Sequence, residues 1–230
     1  MTAVILASGS PSRLSILRAA GIEPTVIVSG VDEDAALARA EEERGRELTT
    51  AEQTAVLATA KGRAVISELT ADSLPGRTGE PVVLIASDSM LELDGRAVGK
   101  PHTPERARAL WRDMGGRTAY LHSGIFMARL SRVSDGGAPA VEDSAEAVGS
   151  TLITTAELTD AEIDAYVGTE EPLEVAGGLT IDGYGAAFVT RIEGDHTNVL
   201  GMSVPLLRHM CRQLGIEWHS LWNRASGASV

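Results

Sequence analysis

The run Thr2-Ala3-Val4-Ile5-Leu6-Ala7 constrains the fold more than any other feature of this chain. It is apolar without alternation, so a strand built from it needs cover on both faces. The turn Ser8-Gly9-Ser10-Pro11 follows directly. It leads into a helical pattern from Ser12 to Ala20, carried by Leu14, Ile16 and Leu17. Ser10 suits the N-cap, Pro11 the first helical position and Gly21 the stop. Strand, tight turn and helix in this order predict α/β layers, in which ligands gather at the carboxyl ends of strands.

The rest of the chain continues the theme. Residues 25–29 predict a second apolar strand, which runs into Val31-Asp32-Glu33-Asp34. Residues 35–48, rich in Ala, Glu and Arg, predict an exposed helical or mobile segment. Thr50 and Gln53 form a capping box for a long helix over 51–69. There Leu57, Lys61 and Val65 recur every fourth residue, so Lys61 lies on or beside the apolar stripe. Residues 82–86 are the strongest buried strand and end at Ser87-Asp88-Ser89. Asp94-Gly95 marks a hairpin between 91–93 and 96–98. A helix starts at Thr103-Pro104-Glu105 and stops at Gly115-Gly116. Residues 118–130 and 150–156 predict strands, with 131–149 as a long flexible hairpin loop. Thr159 and Glu162 cap a helix to Val167. A Gly-rich stretch over 177–185 precedes a strand over 186–192, and a last helix spans 204–214. The organisation expected is one domain over 1–215 with a central cleft, followed by a loosely held tail over 216–230.

Composition excludes several classes. A chain of 230 residues buries about 70% of its extended surface on folding and needs no disulfides. The single cysteine, Cys211, excludes a disulfide framework and a cysteine zinc site. No basic leader and no apolar stretch of membrane-spanning length is visible, so a cytoplasmic protein without membrane partners is expected. The net charge of −12 repels nucleic acid overall, and few aromatics are present to stack bases. Lys61 and Lys100 are the only lysines among 20 basic residues. In a chain that otherwise uses Arg, they mark places where a compact point charge is wanted.

Several residues could carry chemistry. Ser8, Ser10 and Arg13 follow the first strand, where backbone N–H groups and a guanidinium attract anions; an ordinary capped helix would carry the same residues. Asp88 ends an apolar strand, a costly place unless it binds a metal, a proton or a backbone cap. Glu33, with Asp32 and Asp34, could hold Mg²⁺ or form a solvated acidic turn. Lys61 and Lys100 could reach one anion from two sides, or lie on the surface as snorkelling lysines. No phosphate-binding G-x-x-x-x-G-K-[ST] loop, G-x-S-x-G elbow or H-E-x-x-H helix is present.

Taken in order, these motifs resemble the Maf-like nucleoside triphosphate pyrophosphatases. Leu6-Ala7-Ser8-Gly9-Ser10-Pro11-Ser12-Arg13 is similar to their opening motif. Val31-Asp32-Glu33 resembles their acidic turn and Ala60-Lys61 their helix lysine. Ser87-Asp88-Ser89, Asp94-Gly95 and Gly99-Lys100-Pro101 resemble their central motif. Glu171-Pro172, Ala176-Gly177-Gly178, Gly183-Tyr184-Gly185, Ile192-Glu193-Gly194-Asp195 and Asn198-Val199-Leu200-Gly201-Met202 resemble their C-terminal block.

The resemblance implies a two-lobed mixed sheet flanked by helices, akin to the inosine triphosphate pyrophosphatases, and often a dimer. It implies hydrolysis of a nucleoside triphosphate, with a standard or modified base, to monophosphate and pyrophosphate. It also implies a divalent cation, Mg²⁺ or Mn²⁺. Asp88 falls on the proton acceptor and, with Glu33, on the metal positions. Arg13, Lys61 and Lys100 fall on phosphate positions. Ser12, Ser89, Val175 and Asp182 stand where many members have Arg, Thr, Lys and Gln or Glu, so these positions bear on the choice of base. Ser8, Ser10, Ser12, Ser89 and Asp182 are the substrate-binding candidates. The alternatives are a metal-dependent nucleotidyltransferase, which would want a lysine soon after the first loop, and a non-catalytic nucleotide-binding regulator of cell division.

Overall fold

In the computed structural model, which describes residues 1–77, 79–132 and 137–223, the opening apolar run forms β1 (Ala3–Leu6) and the next segment α1 (Pro11–Ala19). β1 pairs in parallel with β2 (Thr25–Val26) on one side and β3 (Val82–Leu93) on the other. Beyond β3 the sheet is antiparallel. β4 (Arg96–Val98) folds back on the end of β3, β5 (Thr118–Ser131) runs along most of it, and β6 (Ala140–Thr155) and β7 (Val189–Glu193) follow. The order is β2-β1-β3-β5-β6-β7, with β4 on β3. This is the mixed, helix-flanked sheet expected from the motifs.

The two-residue period of β3 explains the lobes. Val82, Leu84 and Ala86 face α3 (Thr50–Glu68), where Ala58, Val65 and Phe126 complete one apolar cluster. Val83 and Ile85 face the other way. They pack with Leu17 of α1 and with Leu207 and Met210 of α7 (Val204–Gln213). Farther along that second face, Leu91 and Leu93 meet Trp111 of α4 (Pro104–Met114) and Ile163 and Tyr166 of α5 (Asp160–Val167). Ser87, Ser89 and, on β5, Ser123 fall between these two clusters. One face therefore carries two apolar cores divided by a band of hydroxyls, of which Ser89 lines a cleft.

α3 sits close to the sheet. A Cβ on Gly124 of β5 would collide with the Thr54 carbonyl, so only glycine lets the helix in. Leu57 and Val65 are fully buried on the stripe that also carries Lys61. Each such side chain contributes about 1.5–3 kcal/mol of transfer free energy. The capping box lies one residue earlier than expected. Thr49 Oγ1 accepts from Glu52 N, and Glu52 Oε2 accepts from Thr49 N at 3.0 Å. Arg46 holds the same Glu52 carboxylate, while Thr50 is buried. Residues 35–44 belong to α2 (Glu33–Arg44), which has no buried residue, as its composition suggests.

Further expectations need correction. The apolar strand of 25–29 shrinks to Thr25–Val26, both exposed, and the strand of 82–86 does not end at Ser87-Asp88-Ser89 but runs through them to Leu93. Within 131–149, residues 140–149 are strand, while residues 133–136 lie outside the described residues. Until Leu152 meets β7, β6 pairs with β5 alone. Its Ser, Ala and acidic composition suits a charged open edge rather than a loop. The segment 186–192 divides into a 3₁₀ turn over Tyr184–Phe188 and then β7. The tail is held through Asn223. Leu221 is fully buried, Ser220 O accepts from Thr2 N at 3.0 Å, and Asn223 Nδ2 donates to Glu23 O at 2.9 Å. Among the described residues no helix is long and apolar enough to cross a membrane.

Candidate active site

β1 pairs with β3 only up to Ile85, and β4 rejoins β3 only at Leu91. Between them, residues 86–90 have β5 on one side and no strand on the other. A cavity of about 860 Å³ occupies this gap. The alternation of β3 gives it two chemistries, with Asp88 on the α3 face and Ser89 on the other.

Ten of the residues singled out from the sequence line this cavity: Ser8, Ser10, Ser12, Arg13, Glu33, Lys61, Asp88, Ser89, Lys100 and Asp182. Asp32 caps α2 instead, and neither it nor Asp34 lines the cavity. Ser10 caps α1 by accepting from Arg13 N, and Ser8 Oγ accepts from Ser10 N at 3.2 Å. Arg13 is more than a free anion fork. Its Nε donates to Gly201 O at 3.0 Å, Nη1 to Ser8 Oγ at 3.1 Å and Nη2 to Ser89 Oγ at 3.1 Å. It thus ties α1 to β3 and to the turn after α6 (His196–Val199). Of its five N–H donors, the ones not so used remain for a ligand. Burial pushes the guanidinium down from its ordinary value, and the charges of Asp88 and Glu33 pull it back.

Lys61 reaches from α3 to two acids. Its Nζ lies 2.5 Å from Asp88 Oδ1 and 2.7 Å from Glu33 Oε1. Asp88 is buried at 8% exposure, so this ammonium supplies the partner that a carboxylate there requires. Glu33, in the first turn of α2, is half exposed. Lys100 is exposed at the opposite wall, and among the described residues it pairs with no acid. Its segment is docked by Gly177 N donating to Gly99 O at 3.2 Å and His102 N donating to Leu173 O at 2.9 Å.

The deeper wall is apolar, with Leu121, Leu179, Ile181 and Val199, and Val175 also lines the cavity. Asp182 is exposed, so it stands at the rim of this wall rather than inside it.

The motifs contain Ser87, Ser123 and Gly201, but the sequence assigned none of them a role. Gly201 O accepts from Arg13, from Ser87 Oγ at 3.1 Å and from Ser89 Oγ at 3.2 Å. It is a backbone group and leaves no residue-type signal. Ser123 Oγ lies 2.8 Å from Ser89 Oγ, a pairing that only the β3–β5 register creates. Ser87 was legible, because alternation places it on the Ser89 face.

A family model described as Maf-like protein matches residues 3–214. The chain is 46% identical over 229 residues to a protein of Cutibacterium acnes (strain DSM 16379 / KPA171202) named nucleoside triphosphate pyrophosphatase, covering 100% of this chain and 99% of that protein. Proteins of the same name in Leifsonia xyli subsp. xyli (strain CTCB07) and Mycobacterium sp. (strain JLS) are 47% and 43% identical over 223 residues. Those two alignments cover 96% and 97% of this chain, and 96% and 99% of the relatives.

Proposed function

This chain belongs to the Maf-like protein family, and on that footing we propose that it is a nucleoside triphosphate pyrophosphatase. It hydrolyses the bond between the α- and β-phosphates and releases a nucleoside monophosphate and pyrophosphate. The observation that carries this reading is the Lys61 ammonium, 2.5 Å from Asp88 and 2.7 Å from Glu33, in the cavity that also holds residues 8–13 and Lys100.

A triphosphate is dense in negative charge, so its cleavage needs that charge neutralised and held in place. Lys61, Lys100, the remaining Arg13 donors and the N-terminus of α1 meet it from different walls of the cavity. Asp88 accepts a proton from the attacking water as the new phosphorus–oxygen bond forms. The bond to the leaving oxygen breaks, and the departing charge leaves on pyrophosphate. Lys61 keeps the Asp88 carboxylate in place.

The residues present fit a divalent cation. Glu33 and Asp88 offer hard oxygens, and both already lie against a single cationic centre. Among the described residues there is no group of three or more His, Cys, Asp or Glu able to hold a metal. Mg²⁺ or Mn²⁺ at Glu33 and Asp88 would therefore draw further oxygen ligands from nucleotide phosphates and water. Bound there, the ion would offset phosphate charge.

The substrate supports a cytoplasmic location, where nucleoside triphosphates are made. The family resemblance supports a homodimer; light scattering tests it, and a monomer at micromolar concentration would overturn it.

The purified chain is incubated with a panel of nucleoside triphosphates in Mg²⁺ or Mn²⁺, and products are read by phosphorus NMR. Pyrophosphate and a monophosphate are expected from at least one substrate, with loss of turnover in EDTA. Orthophosphate and a diphosphate would overturn the cleavage site, and transfer of the nucleotide to a second substrate would favour a nucleotidyltransferase.

A further inference from the structure

Glu171 lies outside the phosphate-binding walls, yet its carboxylate gathers an unusual number of donors. Oε1 accepts from the Thr180 hydroxyl, from Gly185 N at 2.9 Å and from Tyr166 OH at 3.2 Å. Oε2 accepts from Tyr184 N at 2.8 Å. The carboxylate is only partly exposed and sits on a 3₁₀ turn, Glu171–Glu174. Burial pushes its pKa up, but the bonds from Thr180, Gly185, Tyr184 and Tyr166 outweigh that and hold it below the usual carboxylate range.

These partners share a geometry. Thr180 begins and Tyr184-Gly185 end a loop whose middle holds Ile181 and Asp182. Thr180, Ile181 and Asp182 line the cavity, whereas Glu171 does not. The backbone is drawn tightly around the carboxylate. A Cβ on Gly183 would collide with Glu171 Oε2, and one on Gly185 would lie 2.5 Å from Tyr166 OH. Upstream, Trp111 Nε1 donates to Gly178 O at 2.9 Å, so the stretch before the loop is fixed to α4. One carboxylate thus closes a loop of six residues at both ends, with an otherwise exposed acid at its crest.

We infer that Glu171 is a positioning residue for nucleobase selection: by clipping the two ends of the 180–185 loop together, it fixes Ile181 and Asp182 at the cavity wall. The inference rests on the proposed pyrophosphatase activity. The loop meets the apolar end of the cavity, while the phosphate-facing residues come from α1, α3, β3 and the segment after β4. Loosening the loop therefore weakens recognition of the base and leaves the cleavage chemistry in place. An ordered hydrogen-bonding wall rejects a base that leaves its groups unpaired; a mobile wall does not.

The test replaces Glu171 by Gln, which nearly keeps the shape but leaves one acceptor oxygen for four donors. KM for the best substrate should rise about tenfold, the size of one lost hydrogen bond to a charged group. Its kcat should stay within about threefold, and the spread of kcat/KM across bases should shrink. Thr180→Val removes a single donor and should move the same quantities less. In an Asp182→Ala background, Glu171→Gln should add little, because coupled residues are not additive. An unchanged ranking of bases in Glu171→Gln, or equal losses of kcat for every base, would overturn the inference while the activity stands. Should the wild type cleave nothing, the activity reading fails by itself. The inference is then read from binding of α,β-methylene nucleotide analogues: a Kd ranking flattened in Glu171→Gln supports it, and an unaltered ranking or no binding overturns it.

Discussion

Lys61 and Lys100, the only lysines of the chain, are not equivalent. Lys61 is wedged between Asp88 and Glu33, while Lys100 is exposed at the cavity wall and, among the described residues, pairs with no acid. Replacing either by Met should remove roughly 2–4 kcal/mol of transition-state stabilisation, read as a loss in kcat/KM. Only Lys61→Met should also lower stability, by about 1–3 kcal/mol, since it leaves the buried Asp88 without its partner. Urea unfolding separates the two; equal stabilities would mean that the Lys61 pairings hold nothing in place. Asp88→Asn should cost at least ~100-fold in kcat, typical of a lost general base, in a protein that stays folded. Near-normal turnover would remove Asp88 from the mechanism. Asp88 and Lys61 were legible because each breaks a local pattern, an acid directly after an apolar run and a lysine on a helix stripe, although the strand itself continues past Asp88 to Leu93. The donors around Glu171 were not, because they lie 5 to 14 residues away and meet only when the chain turns back.

At the scale of elements, α3 brings chemistry to the sheet, and its distance from β5 is set by the absence of a side chain. Gly124→Ala would drive a methyl into the Thr54 carbonyl, which a rigid helix turn cannot yield. The cost should be about 1–3 kcal/mol of stability, as for overpacked cores. Lys61 should retreat with the helix, so kcat/KM should fall as well. Wild-type stability and turnover in the folded variant would show that α3 moves at no cost. Strands with pure apolar runs, β1 and the first half of β3, were readable. The edge half of β6 was not, because solvent on its open side selects the same residues that loops use. The beginning of the tail was missed for a related reason: Ile216, Trp218 and Leu221 anchor it to the core, and apolar residues at such uneven spacing make neither a helix nor a strand pattern.

For the whole molecule, the two clusters on the second face look like separate cores, but β3 and β5 pass through both. We propose that residues 1–215 therefore unfold as one unit. Far-ultraviolet and near-ultraviolet circular dichroism should trace a single coincident transition; two resolved transitions would show that the hydroxyl band divides independent folding units. The same continuity sets how the cleft works. Domain closure needs a few pivot residues where the backbone can swing, and here β3, β5 and β6 cross the gap as long hydrogen-bonded strands. A hinge is thus denied to this enzyme. Its lobes must meet the nucleotide at a preset separation, and the loop that carries Asp182 is itself pinned at both ends by Glu171. Selectivity in such a molecule is a matter of a jaw and teeth both set in advance.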